Sequence, residues 1–164
     1  MSKRHPKTQF FLQGPVDHPD VETVAGVPDE NIWVLLAQYT FNYVHLGKLC
    51  RITIPKGFQW DGASIPWFAW TVLRLHPGGK CLLFSLLHDY LYRTEGLKKH
   101  HGQLEIPLAD VRGKYIFTRW ESDIMLRDIM TWQKNEFNPI QIRLCYRVTH
   151  RFGKKYFGGP APTF

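Results

Sequence analysis

The sequence predicts an α+β fold: a small antiparallel sheet with a helical core of two long antiparallel helices, followed by a basic C-terminal helix. Three observations carry this. Residues 32–54 are rich in β-branched and aromatic side chains and end in an apolar–polar alternation. Residues 80–93 and 115–134 run without a helix breaker and put apolar side chains on most faces. Residues 139–157 space Arg143, Arg147 and Arg151 one helical turn apart and add Lys154 and Lys155.

Taken in order, residues 1–30 combine basic side chains with Pro or Gly at 6, 14, 15, 19 and 26. That mixture reads as an irregular arm suited to lying on a partner. The run 32–44 and the segment 49–54 form a hairpin turned at 45–48. Pro55 to Pro66, PKGFQWDGASIP, is a shaped loop, because Pro and Gly at both ends exclude a regular helix. A helix entered at Ser64-Ile65-Pro66 stops at Pro77-Gly78-Gly79. Next come the buried helix 80–93 ended by Gly96, a polar connection over 98–113, and the helix 115–134 broken by Asn135 and Pro139. Pro139 then fits the first turn of the last helix. The organisation expected is an arm, 1–30, and one globular domain, 31–164.

At 164 residues, with 44% hydrophobic and 21% charged side chains, the chain has the size of one domain with a real core. Six Trp, seven Tyr and eleven Phe exclude a disordered chain. A net charge of +7 favours anionic partners. No zinc-finger spacing, RNP-like aromatic motif or helix-turn-helix turn accompanies that charge, which speaks against nucleic acid. No apolar stretch is long enough for a membrane span, and MSKRHPKTQF lacks the apolar core of a secretory signal. Cys50, Cys81 and Cys145 form no CxxC pair and read as buried thiols in a reducing cytosol.

His88 and Asp89 lie in a helix with few other polar groups, and burying an ionisable pair there is costly unless each finds a partner. Tyr92, one turn after His88, stacks on the same face, while Asp89 points about 100° away. The imidazole suits proton transfer, the carboxylate a metal and the phenol an orienting bond. In the next long helix Asp123 follows Arg119 by four residues on one face. Basic residue first is the poorer order for an internal ion pair, so one of the two is expected to point elsewhere. Antiparallel packing sets Asp123 against His88, where it fixes the tautomer of a histidine base. In the loop, Gly62 frees backbone groups and Asp61 supplies a hard oxygen of the kind calcium prefers.

GFQWDGASIP, the helix with LLHDYLYR, R-x-x-x-D in a further helix and the basic ending RxxHRFGKKYF together resemble a family of bacteriophage and prophage proteins filed as domain of unknown function 1353. The resemblance covers roughly residues 56–157. It implies phage origin, with synthesis in a bacterial host cytoplasm and a place in the virion, and no settled activity. The HDxxY helix answered by a later Asp is also similar to secreted phospholipases of the A-two class and to the lipase domain of parvovirus capsid proteins. That similarity implies that His88 activates water, that Asp89 holds calcium with carbonyls of the preceding loop, and that Tyr92 and Asp123 brace His88. The chain departs from the phospholipase pattern in lacking the flanking half-cystines and in having WDGAS where a glycine doublet stands.

Two readings follow. In the first the chain is a virion or assembly protein whose basic face (Arg143, Arg147, Arg151, Lys154, Lys155) and arm dock on neighbouring virion proteins. His88, Asp89 and Asp123 are then a polar network locking two helices, with Trp60, Ser64, Pro66 and Arg119 structural. In the second it is a calcium-dependent hydrolase of phospholipid esters acting during phage entry.

Overall fold

The computed structural model describes residues 9–11, 21–23, 33–45, 48–60, 81–97, 104–105, 116–133 and 136–158. The loop residues Asp61, Gly62, Ser64 and Pro66, and the helix expected to follow them, lie outside these. The strands are β1 (Gln9–Phe11), β2 (Val21–Thr23), β3 (Trp33–Leu35), β4 (Tyr39–His45), β5 (Lys48–Ile54), β6 (Gln59–Trp60) and β7 (Leu104–Glu105); the helices are α1 (Leu82–Arg93), α2 (Arg119–Trp132) and α3 (Pro139–Phe152), with a 3-10 turn over Gly153–Tyr156. The fold is α+β.

The strands divide between two antiparallel sheets, in the orders β1-β4-β5-β7 and β2-β3-β6. The run 32–44, read from its composition as one strand, is broken at Leu36–Gln38, where the chain bends and exposes all three residues. Leu35 explains the break: its N–H donates to the Phe58 carbonyl at 2.9 Å and its carbonyl accepts from Gly57 N–H at 2.7 Å, which commits β3 to the β6 side. β4 and β5 form the expected hairpin, paired from Tyr39↔Ile54 to His45↔Lys48. Phe41 lies opposite Ile52, both fully buried, while Thr40 and Thr53 pair through their hydroxyls at 3.2 Å. Within residues 1–30, read as an irregular arm, β1 pairs with β4 and β2 with β3.

Every residue from Leu82 to Tyr92 is buried, so α1 is the axis of the core. Aromatic side chains of the β6 region cover one side. The Trp60 indole N–H donates to Ser85 Oγ at 3.2 Å, Phe58 meets Tyr90 edge-on at 5.2 Å, and the Arg93 guanidinium donates to the Gln59 carbonyl. Trp60 is fully buried and thus anchors sheet to helix; burying such a side chain contributes about 1.5–3 kcal/mol. The helices α1 and α2 run antiparallel, since Gly96 after α1 accepts from Phe117 N–H before α2, while Phe84 at the start of α1 packs on Phe137 beyond the end of α2.

The helix expected from residue 115 starts at Arg119, because Thr118 is its N-cap: Thr118 Oγ1 accepts from Glu121 N–H, and Glu121 accepts from Thr118 N–H. Asn138 and Gln141 make the same reciprocal cap on α3, with Pro139 at its first position. Between α1 and α2 the chain turns through Glu95, Gly96 and Leu97, all with positive φ. A Cβ on Gly96 would lie 1.7 Å from the Phe117 carbonyl oxygen. Gly96→Ala is therefore expected to cost at least ~2 kcal/mol and to lower the melting temperature by roughly 4–8 °C. An unchanged thermal melt would show that the two helices do not depend on this close approach.

Candidate functional site

Asp123, on the buried side of α2, is the hub of a polar network joining three helices. Its Oδ1 faces His88 Nε2 at 3.3 Å and accepts from the Tyr92 hydroxyl at 2.5 Å. Its Oδ2 accepts from Arg119 Nη1 at 3.2 Å and faces His150 Nδ1 at 2.8 Å. Asp123 has 0% exposure, whereas His88 and Asp89 each keep 6%. Burial alone pushes the Asp123 pKa up; bonds from His88, Tyr92 and His150, with the charge of His88, outweigh it and leave the pKa below the ordinary carboxylate value. The group is thus an anion, and each ring nitrogen facing it carries the proton and donates.

That fixes the His88 imidazole. Nε2–H is held on Asp123, and Nδ1 lies on the other side of the ring, 3.7 Å from Asp89 Oδ1. The ring stacks against Tyr92 with centroids 4.0 Å apart. Burial pushes the His88 pKa down, but bonds and charge from Asp123 and Asp89 outweigh it, so the ring keeps its second proton to a higher pH than a free histidine. Burial, then the Asp123 bond, drive the Tyr92 phenol far above the ordinary tyrosine range, so it stays a donor. Such a ring, once neutral, has Nε2–H anchored on the Asp123 carboxylate and a bare Nδ1 facing Asp89, and Nδ1 is the nitrogen that can take a proton.

Arg119 and Asp123 bond each other despite the unfavourable order, because Nη1 of Arg119 also donates to the His150 carbonyl at 2.8 Å and so is held from α3 as well. The basic ending RxxHRFGKKYF contains His150, but sequence reasoning assigns it no role. Its signal is a position one residue after Thr149 and five after Cys145, the two buried residues of α3, which sets it at the edge of the packed face. Gly153 is a second such residue: a Cβ there would lie 2.5 Å from the Tyr92 hydroxyl, so any side chain at 153 would require the phenol to shift from its present place on Asp123.

Asp89 brings one hard-oxygen donor beside His88. Among the described residues no three His, Cys, Asp or Glu side chains converge as a metal site, and Asp61 and Gly62, expected to complete a calcium site, lie outside them. Neither cysteine whose side chain is described offers an alternative nucleophile: Cys81 and Cys145 are buried, and burial pushes the Cys145 thiol up to about 12. Arg143, Arg147, Arg151, Lys154 and Lys155 are all exposed on α3 and the 3-10 turn. Among the described residues no helix is long and apolar enough to cross a membrane.

The family described as "Protein of unknown function (DUF1353)" matches residues 33–142. The chain belongs to this family. The DUF1353 match contains His88, Asp89, Tyr92, Arg119 and Asp123, while His150 and the basic residues from Arg143 onward lie beyond it. No curated protein and no solved structure matches the chain.

Proposed function

We propose that this DUF1353 member is an ester hydrolase in which His88 activates water, with phospholipid as the substrate class. The observation that supports it most is the shared Asp123 oxygen: His88 Nε2 and the Tyr92 hydroxyl both engage Oδ1, which holds one tautomer and one ring orientation and leaves Nδ1 for chemistry. In the reaction Nδ1 takes a proton from water as the water oxygen attacks the ester carbonyl. The tetrahedral species then expels the alkoxide, which receives that proton from Nδ1, giving one acid and one alcohol. Nε2–H stays on Asp123, and Arg119 and His150 on Oδ2 keep that carboxylate ionised and in place. Asp89 would be the described residue to hold a calcium ion, which would supply positive charge to polarise the ester.

The similarity of the HDxxY helix and its answering Asp to phospholipases supports the choice of lipid. The phage and prophage resemblance supports a place in a virion, where lipid hydrolysis serves genome entry.

Purified chain mixed with phospholipid vesicles and millimolar calcium is expected to release fatty acid, measured by titration. A parallel sample with chelator reads whether the metal is required. Absence of release under both conditions, from vesicles and from dispersed short-chain ester alike, contradicts the hydrolase reading and leaves the network a lock between helices.

A further inference from the structure

We propose that the exposed face of α3 and the following 3-10 turn form a docking surface for an anionic lipid bilayer. After Glu136 the sequence contains no acidic residue, while Arg143, Arg147, Arg151, Lys154 and Lys155 all follow it. The three arginines recur at i, i+4 and i+8, so they share one helix face, and Ile140, 68% exposed, lies on that face three residues before Arg143. Among the described residues none of the five cations is in an ion pair. The like charges repel along the stripe until an anionic surface covers them.

The rings choose the kind of surface. Phe152 is 50% and Tyr156 57% exposed, and each carries a cation on its face: the Arg151 guanidinium 5.9 Å from the Phe152 centroid and the Lys155 ammonium 4.7 Å from that of Tyr156. An apolar ring beside a cation matches the headgroup boundary, where the ring reaches toward acyl chain and the charge meets phosphate. A surface that offers carboxylates alone, such as poly-glutamate, would neutralise the cations and leave Ile140, Phe152 and Tyr156 wet. The two residues that follow the turn close on the network: Phe157 packs edge-on against Tyr92 at 5.3 Å, and Gly158 N–H donates to the Tyr92 carbonyl at 2.9 Å. Docking here thus brings a bilayer up to the end of the molecule that holds His88 and Asp123. The preference for lipid over other anions rests in part on the hydrolase reading.

The test is sedimentation of the full chain with vesicles of diether phosphatidylcholine, with and without diether phosphatidylglycerol, lipids that contain no ester to cleave. The chain is expected to bind the anionic vesicles and not the neutral ones. Arg147→Glu with Arg151→Glu is expected to weaken the partition by about tenfold or more. Phe152→Ser with Tyr156→Ser is expected to weaken it several-fold and to make the remaining binding vanish at high salt. Because these side chains are exposed, both variants are expected to keep the parent melting temperature. Equal partition of parent and charge-reversed chain overturns the proposal, as does tighter binding to poly-glutamate or duplex DNA than to anionic vesicles at the same salt. Vesicle binding without ester hydrolysis sinks only the hydrolase, and hydrolysis of dispersed ester without vesicle binding sinks only the docking surface.

Discussion

Replacing Asp123 by Asn is expected to lower the stability of the fold by about 3–5 kcal/mol and its melting temperature by roughly 6–20 °C. The carboxylate is fully buried and meets donors from α1, α2 and α3 at both oxygens. An amide offers one acceptor and turns its own N–H groups toward the other pair of donors, leaving the Arg119 charge opposite a dipole of the wrong sense. The pH dependence follows from the shifts. The Asp123 pKa is lowered, so its contribution is complete above the ordinary carboxylate pKa and is lost as the pH falls through the lowered value. The His88 pKa is raised, so its contribution is complete below the ordinary histidine pKa and is lost as the pH rises through the raised value. Thermal melts across pH are expected to show both losses in the parent chain; in the variant the acid loss is absent and the loss linked to His88 shrinks to what Asp89 alone sustains. A variant melting with the parent at neutral pH would mean that Asp123 does not tie the helices together.

His88→Gln is expected to reduce ester hydrolysis by about a hundredfold to ten-thousandfold, with a stability loss of only a kcal/mol or so. Glutamine has nearly the reach of the ring and an N–H for Asp123, but no basic nitrogen on the far side. The same change in a merely structural network would alter the melt and nothing else. A folded His88→Gln chain that hydrolyses ester at the parent rate removes His88 as the base.

Much of this architecture is legible in the residues. The run LLFSLLHDYLYR contains no breaker and almost no surface for water, which makes α1 a buried helix before any neighbour is known. Burying His88 and Asp123 obliges each to find a polar partner, and antiparallel packing of their helices supplies it. The break at Leu36–Gln38 is not legible, because the bend is set by bonds from Leu35 to Gly57 and Phe58, over twenty residues on. The strands β1 and β2 escape for a similar reason: three-residue strands are defined by partners in β4 and β3 rather than by their own pattern. His150 enters the network through the angle at which α3 crosses α2, and spacing within one helix contains no information on that angle.

The most direct test of the central claim, that His88 Nδ1 is the base while Nε2 stays on Asp123, is the pH dependence of fatty-acid release from vesicles. Only the neutral ring takes a proton, and Asp123 and Asp89 raise the pH at which the ring becomes neutral. Release is expected to rise with pH through an inflection above 6.5, the ordinary histidine value, over the same interval in which the fold loses the stabilisation His88 provides. A rate that is flat with pH, or that falls as the imidazole loses its proton, would contradict it.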